Sequence, residues 1–163
     1  MRVIEAFDRF LQRTASSFKL LIVGKRYKNY KEPESKVRSL GLDESIKFLG
    51  YVNESELLNY YQKACALLFL SMYEGFGLPI LEAMSCGTPV ITSNISAMPE
   101  IAGNAALLVN PYDVNEIVTA MERVIQRDIR LDLVSKGFRN IKRFNWQQTA
   151  EKTLEIYEKC KIK

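Results

Sequence analysis

The chain has 163 residues and not one histidine. That absence removes the commonest metal ligand and the usual general base. Cysteine is scarce and odd in number: Cys65, Cys86 and Cys160 lack the spacing of a metal site. No metal is expected, and the three read as reduced, mostly buried thiols of a cytosolic protein. No apolar run nears the ~20 residues that a membrane helix needs. The first residues carry no apolar signal-peptide core. No Gly-x-Gly-x-x-Gly closes a strand, because Gly24 is followed by Lys25, Arg26 and Tyr27. A dinucleotide-binding dehydrogenase is therefore disfavoured. Internal repeats, low-complexity tracts and flexible linkers are missing too. A strong charge of either sign is lacking, for the formal net charge is only +4. That balance suits an anionic small molecule or a membrane surface and does not demand nucleic acid.

What remains is an ordinary globular composition, long enough for one domain with a real core. Residues 2–15 read as an amphipathic helix with Val3, Ile4, Phe7, Phe10 and Leu11 on one face. Its start carries no capping signal, as if cut from something longer. Strands are expected at 19–23, 46–49, 65–70, 89–92 and 105–109, each a short apolar run bounded by turn residues. Helices are expected at 33–40 and 54–63, around 80–84, as a single turn at 99–101, after Asp113, over 130–143 and after Asn145. Asn53 with Glu56 and Asp113 with Glu116 have the form of capping boxes, and Asn145 with Gln148 has the spacing of a cap. Strands alternating with helices imply an α/β fold: a Rossmann-like parallel sheet in three layers, helices on both faces. In such sheets ligands bind beyond the carboxyl ends of the strands. Gly24, Gly50, the turn Glu74–Gly77 and Thr92 all fall at such ends, so one cleft can collect them.

The central stretch is Glu74-Gly75-Phe76-Gly77-Leu78-Pro79-Ile80-Leu81-Glu82. It reads as strand, glycine turn, helix. Glycines let the backbone turn and approach a ligand without a Cβ penalty. Pro79 fits the first helical turn, where its missing N–H costs nothing. The free N–H groups and the positive dipole end at that helix start suit a phosphate. Glu74 lies before the helix and Glu82 about one turn into it, so both can border one anion pocket. A carboxylate there can accept hydrogen bonds from both hydroxyls of a ribose. Phe76 reads as a packing residue and Cys86 as small-residue packing behind the helix. The basic loop Lys25, Arg26, Lys28 and Lys31 is either a solvated turn or a place where Lys25 or Arg26 leans on a phosphate. Lys136, Arg139 and Arg143 form a stripe at helical spacing: a solvated face, or a surface toward a membrane or partner. Tyr51 reads as a rim aromatic able to lie against a base.

The run Ser71 to Ile91 resembles the donor-binding signature of the retaining "group 1" glycosyltransferases, family 4. Phe48-Leu49-Gly50-Tyr51-Val52, Pro99-Glu100-Ile101-Ala102-Gly103, Ala106 to Pro111 and Phe144-Asn145-Trp146 match that family in order and spacing. The resemblance implies one half of a GT-B fold, the C-terminal domain that binds a nucleotide-diphosphate sugar. It implies that Glu82 holds the donor ribose and that Glu74, the candidate catalytic residue, faces the donor sugar. The backbone of Gly75, Phe76, Gly77 and Leu78 would lie near the sugar and diphosphate, with Gly24 and Lys25 also on the donor side. Gly50, Tyr51 and Val52 would border the base. The implied reaction is metal-independent, retaining transfer of a hexose-type sugar, with no cofactor beyond the donor. The implied setting is polysaccharide, lipopolysaccharide or glycolipid assembly at the cytoplasmic face of a membrane.

The family pattern also contains parts not seen here. A first strand, an Arg…Lys pair that clamps the diphosphate and a whole N-terminal acceptor domain would precede residue 2. Arg2 lies too close to the first helix to be that arginine. The expectation is a donor domain spanning residues 1–163 that is inactive by itself. The alternative is a non-catalytic α/β nucleotide-binding or interaction module.

Overall fold

The structure, a computed structural model, describes residues 1–25 and 31–160. Arg26 and Lys28 of the basic loop lie outside the described residues. The first helix, α1 (Arg2–Thr14), buries Ile4, Ala6, Phe7 and Phe10, with Val3 and Leu11 packed beside them. Complete burial of each such side chain stabilises by about 1.5–3 kcal/mol. Strand β1 (Leu20–Val23) follows, then α2 (Glu32–Ser39) and β2 (Ile46–Gly50). Helix α3 (Glu54–Lys63) opens on a complete capping box: Asn53 Oδ1 accepts from the Glu56 N–H, and the Glu56 carboxylate accepts from the Asn53 N–H. Strand β3 (Leu67–Phe69) leads into α4 (Leu78–Ser85), and β4 (Val90–Ser93) into α5 (Met98–Ala102). Strand β5 (Ala106–Val109) precedes α6 (Val114–Val124), α7 (Arg127–Asn140), a 3-10 turn at Ile141–Arg143 and α8 (Trp146–Cys160).

All strand pairs are parallel, in two ladders, β1–β2 and β3–β4–β5. Successive strand residues feed opposite layers, as a pleated strand requires. Leu68, Ile91 and Leu107 join the core under α1 and α6. Leu67, Val90 and Ala106 join the core under α4 and α5. The result is the expected three-layer α/β architecture. Leu20 and Ile46 of the first ladder share the α1–α6 core with Ile91 and Leu107 of the second, although no strand pairing joins the ladders among the described residues.

Two expectations need correction. Asp113 caps α6 through the N–H groups of Asn115 and Glu116, but the Glu116 carboxylate accepts from the Asn110 N–H instead of closing the box. The Asp113 N–H is already donated to the Asn110 carbonyl, so Glu116 serves the next free donor back along the turn. None of the cysteines is buried: Cys65 and Cys86 are half-buried, and Cys160 is exposed on α8, which buries no residue. The basic stripe over α7 and the following turn is a solvated face, with Arg139 and Arg143 exposed, though two of its members have partners. Lys136 is paired with Asp132, and Arg143 donates to Asn140 Oδ1 and to the Glu100 carbonyl while lying over the Phe144 ring.

Candidate functional site

The β3–α4 connection begins where β3 leaves its ladder, at the pair Phe69↔Thr92. Beyond that point the exit strand has lost its strand partner, and its backbone groups need other partners. Hydroxyls from the end of β4 supply them. Thr92 Oγ1 donates to the Phe69 carbonyl at 2.8 Å, and Ser93 Oγ donates to the Ser71 carbonyl at 2.6 Å. Ser96 Oγ donates to the Glu74 carbonyl at 2.9 Å and accepts from the Glu74 N–H at 3.2 Å. Thr92 and Ser93 are fully buried, and Ser96 sits at φ 59°. The backbone of half-buried Glu74 is thus clipped from both sides by one hydroxyl.

Gly77 forms the start of α4 with φ 104°, a left-handed conformation. A Cβ there would be strained by the angle and would stand 3.3 Å from Ile80 Cδ1, a tight contact that the side chain would have to ease. Gly75 is different, since nothing lies within 4 Å of its Cβ position and its φ is not left-handed. Leu78 and Pro79 occupy the first helical positions. Pro79 has no N–H and the Ile80 N–H is donated back to the Gly77 carbonyl, so fewer free N–H groups remain at this helix start than a full first turn offers. Phe76 packs edge-on against Phe144, with ring centroids 5.7 Å apart, in keeping with a packing role.

Glu82 lies one turn along α4 and is exposed. Its Oε2 accepts a 3.0 Å hydrogen bond from the Tyr61 hydroxyl at the end of α3. Burial first, then the Glu82 charge and this hydrogen bond, push the Tyr61 phenol well above its ordinary value. The phenol therefore stays a protonated donor across the neutral range. Tyr61 itself is anchored from behind, its carbonyl accepting from Thr88 Oγ1 at 2.5 Å. Sequence reading missed Tyr61 and Ser96. The cue for Ser96 was available: hydroxyl residues inside and just after an otherwise apolar strand have to bond something.

The other candidates gather at the ends of β1 and β2. Gly24 donates its N–H to the Gly50 carbonyl at 2.9 Å, after a register shift at Ile22/Val23. Both glycines have positive φ. Lys25 and Tyr51 are exposed, and Val52 is half-buried. Gly24, Lys25, Gly50, Tyr51 and Val52 thus form one group and Glu74 to Glu82 another. No described hydrogen bond or ion pair links the two. Arg2 lies over the Tyr112 ring, 4.8 Å from its centroid. Among the described residues, no three of His, Cys, Asp and Glu converge as a metal site would need.

A three-layer parallel sheet with helices on both faces is the Rossmann-like architecture found in each half of a GT-B fold. A sucrose-phosphate synthase from Thermosynechococcus elongatus superposes with a TM-score of 0.80 at 27% identity, over 96% of this chain and 42% of that one. The C-terminal domain of a group 1 glycosyl transferase, LpcC, from Francisella tularensis gives 0.76 at 28% identity, over 86% of this chain and 76% of that one. The profile of the family "Glycosyl transferases group 1" matches residues 1–158, and the chain belongs to that family. A curated relative, O-antigen chain mannosyltransferase B of Escherichia coli, is 40% identical over 114 residues, 69% of this chain. The chain spans 30% of that relative's length.

Proposed function

We propose that this chain is the donor-binding domain of a glycosyltransferase, taking a nucleotide-diphosphate sugar for retaining, metal-independent transfer of a hexose to a polysaccharide, lipopolysaccharide or glycolipid acceptor. The observation that carries the reading is the α4 start: a glycine-shaped helix N-terminus flanked by Glu74, whose backbone is clipped by Ser96, and Glu82, whose carboxylate is held by Tyr61. The N–H groups left at the helix start suit the diphosphate, and helix-end dipoles together with cationic side chains can stabilise it as a leaving group without a metal. Glu82 takes the ribose, and Glu74 faces the sugar. Gly24, Lys25, Gly50, Tyr51 and Val52 line the base and phosphate side. The mannosyltransferase relative favours mannose as the sugar and a growing O-antigen-like chain as the acceptor. No described helix is long and apolar enough to cross a membrane, so a membrane-bound acceptor would be met from the surface.

Titration of the protein with UDP, GDP and ADP, read by ligand-observed NMR, tests this. Saturable binding in the millimolar range or tighter is expected for at least one base. Glu82→Ala should weaken it about ten- to a hundredfold, the loss of charge-assisted hydrogen bonds worth about 1.5–3 kcal/mol. Absence of saturation with every base overturns the reading.

A further inference from the structure

We propose that Tyr61 is a positioning residue for ribose recognition, holding the Glu82 carboxylate in one orientation before the nucleotide arrives. The inference rests on the donor-binding reading of Glu82 and deepens it. A solvent-exposed glutamate on a helix turns freely about three torsions, and a ligand that uses it must first arrest it. Here Oε2 is occupied by the Tyr61 hydroxyl at 3.0 Å. Oε1 has no hydrogen-bond partner among the described residues, and Glu82 is exposed. One oxygen is fixed, and the other is left to accept from a diol.

The donor is as well held as the acceptor. Tyr61 is half-buried and packs against the core under α4. The Thr88 hydroxyl ties its carbonyl to the residue just beyond α4, and the Thr88 N–H is bonded to the Ala83 carbonyl. Tyrosine and glutamate are thereby referenced to the same helix end. With its ionisation pushed up, the phenol stays protonated and keeps a proton to donate to the carboxylate. A surface tie between α3 and α4 would need none of this rigidity, and the two roles separate by experiment.

The test compares a nucleoside diphosphate with its deoxyribo counterpart in the wild type, Tyr61→Phe and Glu82→Ala. Phenylalanine removes one oxygen and keeps the ring, and the melting temperature of each variant is recorded alongside. The expected result is that Tyr61→Phe lowers affinity for the ribonucleotide about three- to tenfold, the cost of ordering one side chain. Affinity for the deoxyribonucleotide changes much less, so discrimination between the two shrinks. If Tyr61→Phe shifts melting but leaves discrimination unchanged, while Glu82→Ala abolishes it, the positioning role is overturned and the donor-binding reading stands. If Glu82→Ala leaves discrimination intact, the ribose role of Glu82 falls and the role of Tyr61 falls with it.

Discussion

At the residue scale the site depends on a few positions whose conformation admits no substitute. Gly77 is held at φ 104° with Ile80 and Phe69 against its Cβ direction, whereas Gly75 has open space and no left-handed φ. Gly77→Ala should therefore destabilise by about 1–3 kcal/mol, the usual cost of a strained backbone position. Gly75→Ala should fall within about 0.5 kcal/mol of the wild type. Urea unfolding of the two variants measures the contrast, and equal losses would contradict it. Tyr61 supplies a second prediction. Its folded-state ionisation lies above that of the unfolded chain, so the neutral phenol favours folding. That contribution is fully present below about pH 10, the ordinary tyrosine value. It is lost as pH rises from there toward the raised folded value. Stability curves of the wild type and Tyr61→Phe should run parallel below that pH and converge above it. The strand, glycine turn and helix that carry Glu74, Gly77 and Glu82 were legible in the sequence because that layout lies in spacing along the chain. Tyr61 was not, because its partner is 21 residues away on another helix and nothing local marks it.

At the element scale, local chemistry and tertiary demand divide the same way. The start of helix α3 was readable because the Asn53–Glu56 box closes within four residues. The Asp113 box was readable only in half, because Glu116 answers a turn further back that the pattern does not specify. The hydroxyl lacing from β4 to the β3 exit spans 22 or 23 residues and follows from parallel pairing, which sequence periodicity alone does not register. The basic stripe was legible as a solvated face but not in its partners. Helical spacing put Lys136 and Arg143 on one face, but Arg143 belongs to the joint of α5 and α7. There Asn140, 6% exposed, donates to the Ile101 carbonyl at 2.8 Å and accepts from Arg143. Asn140→Ala leaves that carbonyl and the guanidinium without their partner and should cost about 1–3 kcal/mol. Helix α8 is the opposite case. It buries no side chain, and Trp146 is 79% exposed. Deleting residues 146–160 should shift melting of the remainder by less than about 4 °C, the equivalent of 1 kcal/mol at this size. A larger drop in a thermal melt would show that α8 packs on the domain.

At the scale of the whole molecule, one apolar core serves two ladders. Leu20 and Ile46 meet Ile91 and Leu107 beneath α1 and α6, yet strand pairing stops between β1 and β3. Leu21 and Val23 on β1 are 42% and 39% exposed. An apolar strand with an unpaired edge is a template for another strand. At the α4 start Glu74 and Glu82 bring negative charge, Arg2 is engaged with Tyr112, and Arg143 is engaged with Phe144 and the Glu100 carbonyl. Lys25 belongs to the separate group at the end of β1. Leaving-group stabilisation needs charge aimed where charge develops. This chain by itself should therefore bind a nucleoside diphosphate and transfer no sugar. Product formation from nucleotide sugar and acceptor by the chain as it stands would show that the clamping charge comes from residues already within it.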